Sequence, residues 1–320
     1  MKSPQRVLEL LYDREGPFAL AELAAAAGVS RNRLDDVLGE LARRQRLDSS
    51  PAGVWLVRPV ALDAHLIERG LNVRRVGRSA ICFDEVGSTN DVAFDSARQA
   101  DADGLVVLAE SQRAGRGRLG RTWISPPGTN ILLSAVLLGD RRSLPHEAVT
   151  IAAGLAAAEG VAESCQLDPQ LKWPNDVLLD GRKLAGVLVE VRTVARRRAT
   201  VVGLGLNANA APSDERVDRP ATSLADHLHA PVERVEVVRA ILRRLDEWVA
   251  RVMDGRLDEL HAAWLARCGM INERVTVQSK GWRQVGRVLD VSPLEGLILA
   301  GDDGRTVHIP AEGATLIDDR

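Results

Sequence analysis

Leu34, Val37, Leu38 and Leu41 recur at i, i+3, i+4 and i+7, the spacing that lines apolar side chains along one stripe of a helix, and Ser30 stands where its N-cap belongs. Upstream, Val7, Leu8, Leu10 and Leu11 form one apolar group, and Leu20, Leu23 and Ala24 begin another. Residues 4–47 therefore read as three helices, with Gly28 in the short turn between the second and third. A turn at Ser49-Ser50-Pro51-Ala52-Gly53 and the apolar run Val54–Val57 add a hairpin. Three helices and a hairpin predict a winged helix-turn-helix over residues 1–62. Beyond Pro59, the stretch Ala61–Gly70 reads as a connecting helix.

From Ser79 to Val202, apolar strands (Leu105–Leu108, Ile131–Leu138, Val187–Val191, Thr200–Leu204) alternate with Ala-rich helical stretches such as Glu147–Ala162, and helical spacing returns from Val232 to Ala266. A mixed α/β domain over residues 63–269 follows. In the last fifty residues short strands (Val275–Val277, Val285–Val291, Leu297–Ala300, Thr306–Ile309) flank a turn at Gly301-Asp302-Asp303-Gly304. That spacing predicts a small β-barrel of the SH3-like kind over residues 270–320. The whole is an α+β multidomain chain.

Composition narrows the partners. With 42 basic and 44 acidic residues, 45% hydrophobic and 27% charged, the chain falls among ordinary globular proteins and lacks bulk attraction for polyanions. Its longest weakly polar run, Val149–Ala162, is broken by Glu159 and falls short of the ~18 residues a membrane span needs, so no membrane association is expected. The N-terminus shows no export signal, which predicts a cytoplasmic protein. Cys82, Cys165 and Cys268 are far apart and form no CxxC pair, which fits reduced thiols and no metal cage. Residues 1–60 carry nine basic and eight acidic side chains. Ser30, Arg31, Asn32 and Arg33 open the third helix and are the candidates to face DNA; Arg43, Arg44 and Arg46 favour that role, whereas Asp35, Asp36 and Glu40 oppose it. Only Lys2, Lys172, Lys183 and Lys280 are lysines, leaving 38 arginines. A retained lysine in such a chain suggests a site that needs a compact ammonium.

Two segments carry chemistry. Gln112-Arg113-Ala114-Gly115-Arg116-Gly117-Arg118-Leu119-Gly120-Arg121-Thr122-Trp123 combines glycines that let a backbone approach a ligand with guanidinium groups that bind phosphate or carboxylate. Such a loop cannot build a core, so mobility is expected until an anion orders it. The second segment, Lys172-Trp173-Pro174-Asn175-Asp176 followed by Gly181-Arg182-Lys183-Leu184-Ala185-Gly186, holds two of the four lysines around a turn and a hairpin. Other chemistries lack their signatures: there is no GxxxxGK[ST], GxSxG or HExxH, and Gly203-Leu204-Gly205 lacks the third glycine of a dinucleotide fingerprint. His227 and His229, two apart on a probable helix, make a poor metal pair.

AGRGRLGRTW, KWPNDVLLDGRKLAGVLVE and the upstream Ser88-Thr89-Asn90 together closely resemble biotin protein ligases, the biotin–[acetyl-CoA-carboxylase] ligases, from about Ser79 to the end of the chain. The N-terminal unit makes the chain similar to the bifunctional subclass, in which the ligase also represses biotin-synthesis genes. The resemblance implies a two-step reaction: biotin and MgATP give biotinyl-5′-AMP and pyrophosphate, then a lysine of the biotin carboxyl carrier protein attacks the mixed anhydride. It implies Lys183 and Arg118 as catalytic residues, with Lys183 on the biotin carboxylate. Ser88, Thr89, Asn90, Gln112, Gly115, Arg116, Gly117 and Arg118 would contact biotin, with Ser88, Thr89 and Gln112 on its ureido ring. Arg116, Arg118, Arg121, Trp123, Lys172, Asn175, Asp176 and Asn207 would hold ATP or the adenylate, with the phosphates on the arginines and Mg²⁺ near Asp176. It further implies operator DNA as a partner and a homodimer when the adenylate is bound, with no tightly bound cofactor. Leu119 stands where some family members carry a second basic residue. The rival readings are a lipoyl-type ligase and a ligand-sensing transcription factor without ligase activity.

Overall fold

The computed structural model describes residues 3–99, 101–139, 144–213, 220–279 and 281–317; Lys2 and Lys280 lie outside this set. The chain opens with α1 (Ser3–Tyr12), α2 (Leu20–Ala27) and α3 (Arg31–Leu41), followed by the hairpin of β1 (Leu47–Ser50) and β2 (Gly53–Leu56). Gly28 ends α2 at φ 67°, a left-handed conformation that costs glycine nothing, and Ser30 Oγ accepts from Arg33 N at 3.3 Å to start α3. Leu34, Val37 and Leu41 are buried as the stripe requires. On the outer face Arg31 and Arg33 pair with Asp35 and Asp36 of the same helix, at 3.3 and 3.9 Å.

The connecting helix is shorter than its pattern suggests. α4 spans only Ala64–Glu68, because Asp63 accepts from the backbone of both His65 and Leu66 and fixes the start there. Next come β3 (Ser79–Val86), α5 (Thr89–Ser96), β4 (Leu105–Gln112), β5 (Ile131–Gly139), α6 (His146–Cys165), β6 (Gln170–Lys172), β7 (Asp176–Leu179), β8 (Arg182–Val194), β9 (Arg197–Leu206), α7 (Leu224–Leu228), α8 (Arg234–Met253) and α9 (Leu257–Arg267). Their strands form one seven-stranded sheet in the order β3-β4-β5-β9-β8-β7-β6, in which β3 and β4 are parallel and the other pairs antiparallel. Both faces of its centre are covered, which explains the unbroken apolar runs of β4 and β5. Val107, Val136, Ala199 and Val201 pack on Ala93, Phe94 and Ala97 of α5. Val106, Leu108, Leu133 and Val202 face the α6 and α8 side, with Val149, Ala152, Val238 and Ile241. α6 is apolar and long enough to pass for a membrane span, but 72% of it is buried here, against α8 among others.

The C-terminal strands β10 (Arg274–Ser279), β11 (Trp282–Ser292), β12 (Gly296–Gly301), β13 (Thr306–Ile309) and β14 (Thr315–Ile317) form an antiparallel sheet in the order β13-β12-β11-β10-β14. Buried side chains from the N-terminal, central and C-terminal regions join in one apolar cluster. The N-terminal region is also tied down by polar contacts. Arg234, 2% exposed, bonds both oxygens of Glu110 (2.5 and 3.1 Å) and the carbonyls of Asn130 and Val60, while Glu110 accepts from Leu62 N. Tyr12 donates to Glu236 and Val60 N to Glu233.

Candidate active site

A cavity of about 450 Å³ opens on the α5 face of the large sheet. Its floor comes from strand register. Gly186 of β8 pairs with Gly205 of β9, and Gly203 lies two residues along on the same face. A Cβ at Gly205 would lie 2.3 Å from Trp123 Cε2, one at Gly186 3.2 Å from Trp123 Cζ3, and one at Gly203 2.4 Å from Asn90 Oδ1. Glycine is thus needed here for room to seat Trp123 and Asn90 against the sheet, within a strand and not at a turn.

The β7–β8 hairpin turns at Asp180 and Gly181, both at positive φ. A bulge between Val177 and Leu178 shifts the register, so that Leu178 pairs with Lys183 but Asp176 with Gly186. In a regular strand Lys183 and Gly186, three apart, would face opposite ways; the irregularity turns both toward the cavity. Lys183 Nζ consequently meets Asp176 Oδ1 at 2.6 Å and lies 5.8 Å from the Trp123 ring centre. The backbone of Lys183 is held by Pro220 O and Thr222 N, and Asn207 Nδ2 donates to Thr222 O.

Around the other end, the start of α5 brings Ser88, Thr89 and Asn90 into the wall, all buried. Thr89 N donates to Gln112 Oε1 at 2.8 Å, Ser134 Oγ lies 2.7 Å from Thr89 Oγ1 and 2.6 Å from Asn90 Oδ1, and Asn90 Nδ2 donates to Glu190 at 2.6 Å. Ser134 has one hydroxyl proton. It goes to Asn90 Oδ1, which has no other donor, so that Thr89 supplies the proton to Ser134.

The Gly/Arg segment folds over this floor as a small hairpin, with Arg116 bridged to Thr122, Gly117 N donating to Arg121 O and Trp123 N to Gly115 O. The expected mobility meets this correction: the loop closes on its own backbone and on ion pairs. Arg116 engages Asp91 through both nitrogens, at 2.7 and 2.8 Å. These bonds hold the Asp91 carboxyl below the usual carboxylate range. Arg118 reaches the C-terminal region, donating to the carbonyls of Ala311 and Ala314, and approaches Asn175 Oδ1 at 3.4 Å. Burial pushes its guanidinium pKa down.

Of the residues singled out in the sequence, Ser88, Thr89, Asn90, Gln112, Arg116, Gly117, Arg118, Arg121, Trp123, Asn175, Asp176, Lys183 and Asn207 all line this cavity. Two do not. Lys172 lies on β6, paired across to Asp176 but outside the wall, and Gly115 is buried beneath Trp123, where a Cβ would meet Trp123 O at 2.7 Å. Asn207 follows a strand end, since Gly203 and Gly205 belong to β9. The sequence reading missed Ser134, a lone hydroxyl in the apolar run of β5, the glycine floor, and Thr315 and Leu316, which bring β14 into the wall. Two buried polar atoms here, Trp123 Nε1 and Asn207 Oδ1, have no hydrogen-bond partner, as a wall built to meet a polar ligand would leave them.

Residues 82–207 match the model of the Biotin/lipoate A/B protein ligase family. The chain is 38% identical over 262 residues to the biotin–[acetyl-CoA-carboxylase] ligase of Mycobacterium tuberculosis, covering 77% of this chain and 94% of that protein. The chain belongs to the biotin protein ligase family. Like those relatives, this ligase is an enzyme of the biotin–[acetyl-CoA-carboxylase] ligase class. It is also 27% identical over 305 residues to the bifunctional ligase/repressor BirA of Bacillus subtilis, across 89% of this chain and 94% of that one. Among solved structures, the biotin protein ligase from Aquifex aeolicus in complex with biotin and ATP superposes with a TM-score of 0.65 at 25% identity, covering 74% of this chain and 98% of that chain.

Proposed function

We propose that the cavity joins biotin to ATP as biotinyl-5′-AMP, releasing pyrophosphate, and then presents the anhydride to a lysine of a biotin carboxyl carrier protein in the cytoplasm. The Lys183–Asp176 pair carries this reading. Step one brings a carboxylate against an α-phosphate, two anions that repel unless fixed cations stand between them. Lys183 already holds one carboxylate at 2.6 Å. Exchanging Asp176 for the biotin carboxylate keeps the ammonium paired and releases Asp176 toward the Mg²⁺ that arrives with ATP and neutralises its phosphates. Arg118 and Arg121 border the same space and serve the phosphates, the Trp123 face and Asn207 seat the nucleoside, and the Thr89–Gln112 side of the cavity takes the ureido ring. A lipoyl-type substrate offers no ureido group to that polar end, so it is the lesser reading. Incubating the protein with biotin, ATP and a carrier domain, then probing for biotin on the carrier, tests the proposal; an unlabelled carrier would refute it.

A repressor role has its own support. α1–α3 with the β1–β2 hairpin is the arrangement of a winged helix, and Ser30, Arg31, Asn32 and Arg33 stand exposed at the start of α3. Because Arg31 and Arg33 are already paired with aspartates, one copy would bind DNA weakly, and a ligand-dependent homodimer reading two half-sites of an operator is the economical arrangement. The five C-terminal strands fit an SH3-like barrel that completes the catalytic domain. Mobility-shift and sedimentation measurements with biotin plus ATP check this; a liganded protein that retains none of its own biotin-gene DNA at low salt has no repressor function.

A further inference from the structure

Four alternating charges ring the outer edge of the cavity. Arg116 meets Asp91 at 2.7 Å and Glu190 at 3.5 Å, and Arg192 meets Glu190 at 3.1 Å and Asp91 at 3.5 Å. The ring ties three elements together: the Gly/Arg hairpin through Arg116, the first turn of α5 through Asp91, and β8 through Glu190 and Arg192. Arg192 is itself seated on the Phe94 ring at 4.1 Å, which anchors the outer corner. On its inner side Glu190 accepts from Asn90 Nδ2 at 2.6 Å, so the same carboxylate that closes the ring also orients a cavity residue. Arg116 has spent both terminal nitrogens on carboxylates in a fork-to-fork geometry. A phosphate would have to displace Asp91 and then sit beside two carboxylates that repel it.

We propose that Arg116 is a positioning residue: with Asp91 and Glu190 it forms a charge latch that holds the Gly/Arg hairpin down on the sheet and keeps the biotin end of the cavity shaped, and it does not bind phosphate. The side chains are between a quarter and a half exposed, so each pair is screened, and the latch acts through its bidentate bond and its closure into a ring. Removing one member loosens the hairpin without moving Lys183 or Asp176, which sit on the neighbouring β7–β8 hairpin.

This inference rests on the ligase reading for its kinetic part only, and the test keeps the two apart. In the ligand-free full chain, Asp91→Asn keeps every arginine and therefore every tryptic site, and should raise the rate of trypsin cleavage within residues 113–121 about fivefold, the upper range for a partly exposed pair. In the ligation assay, Asp91→Asn and Arg116→Gln should each raise KM for biotin by about the same fivefold factor while leaving KM for ATP at its wild-type value. Their double variant should be no worse than either single, since both break one bond. Asp91→Glu, which keeps the charge, should recover most of the biotin KM. Unchanged cleavage in Asp91→Asn, or a raised KM for ATP in Arg116→Gln with Asp91→Asn silent, would overturn the latch and return Arg116 to the phosphates. An inactive wild-type protein would refute the ligase reading, while the cleavage result would still decide whether the latch holds the hairpin.

Discussion

Adding one methyl group at Gly205 should disable the site while leaving the fold standing. The new Cβ would lie 2.3 Å from Trp123 Cε2 and 2.7 Å from both Cζ2 and Nε1, against the ~3.5 Å at which carbon atoms pack best, so the indole must retreat by roughly 1 Å or more. It cannot slide along the sheet, because a Cβ at the neighbouring Gly186 already stands for a contact of 3.2 Å and Trp123 N is tied to Gly115 O at 3.0 Å. The ring therefore lifts into the cavity. Overpacking of this kind costs about 1–3 kcal/mol, and the half-exposed ring places Gly205→Ala at the lower end. The melting temperature should fall by only about 3 °C. Adenylation should suffer far more, because misplacement by about 1 Å at a reacting centre can cost ~100-fold in rate. Biotin-dependent pyrophosphate exchange and a thermal melt read the two effects separately. Gly154→Ala is the control: its Cβ would meet Trp264 and Leu171 at 3.4 and 3.5 Å, ordinary contact, and the gain in helix propensity should stabilise α6 by about 0.5–1 kcal/mol. Wild-type exchange in Gly205→Ala would mean that the floor does not seat Trp123 during the reaction.

Other expectations follow from single contacts. Lys183→Ala should abolish adenylate formation in a folded protein, and Lys183→Arg should lose most of it, because the wider guanidinium has only the space above Gly186, 3.4 Å from Nζ; pyrophosphate exchange near the wild-type rate in the arginine variant would show the retained lysine to be incidental. Arg234→Met should cost about 3–5 kcal/mol in urea denaturation, since it strands Glu110 and two carbonyls in a buried place; a loss below about 1 kcal/mol would show that the pair contributes little there. Burial pushes the Cys82 thiol up to about 12, so alkylation at pH 8 should be far slower than for a free thiol and should accelerate only as pH climbs toward that value; rapid labelling at pH 8 would contradict the placement of this side chain.

How much of this was legible in the sequence depended on how local the cause was. The α3 stripe, its Ser30 cap and the Gly28 turn are set by residues within a few positions of one another, and they fold as their spacing says. The Asp180-Gly181 turn is equally local. The partners of the cavity residues are not. Arg116 reads as a cation for an anionic ligand, but its anions come from Asp91, 25 positions upstream, and Glu190, 74 downstream. Gly203 and Gly205 read as a loop because two glycines in a short span weaken any strand; their purpose appears only when α5 and Trp123 lie on top of them. Lys172 and Lys183 were equal candidates on composition, and a single bulge in β8's register separates them, turning Lys183 inward while Lys172 stays off the wall on edge strand β6.

The least local feature is the part played by the C-terminal strands. Arg118 is a cation whose donors are committed to the carbonyls of Ala311 and Ala314, about two hundred residues away in sequence, and Thr315 and Leu316 stand in the same wall. The guanidinium is pulled from water by that contact, which disfavours its charged form, and a bound anion would offset the loss. Ligand and C-terminal docking then favour each other, because each supplies part of what makes burying Arg118 tolerable, and such coupling is reciprocal. Saturating biotin with ATP should accordingly slow amide hydrogen exchange in residues 311–317 along with residues 115–123. Slowing in the hairpin alone would mean that Arg118 reaches the C-terminal carbonyls without coupling them to the ligand, and that the sheet closes the cavity as a fixed wall.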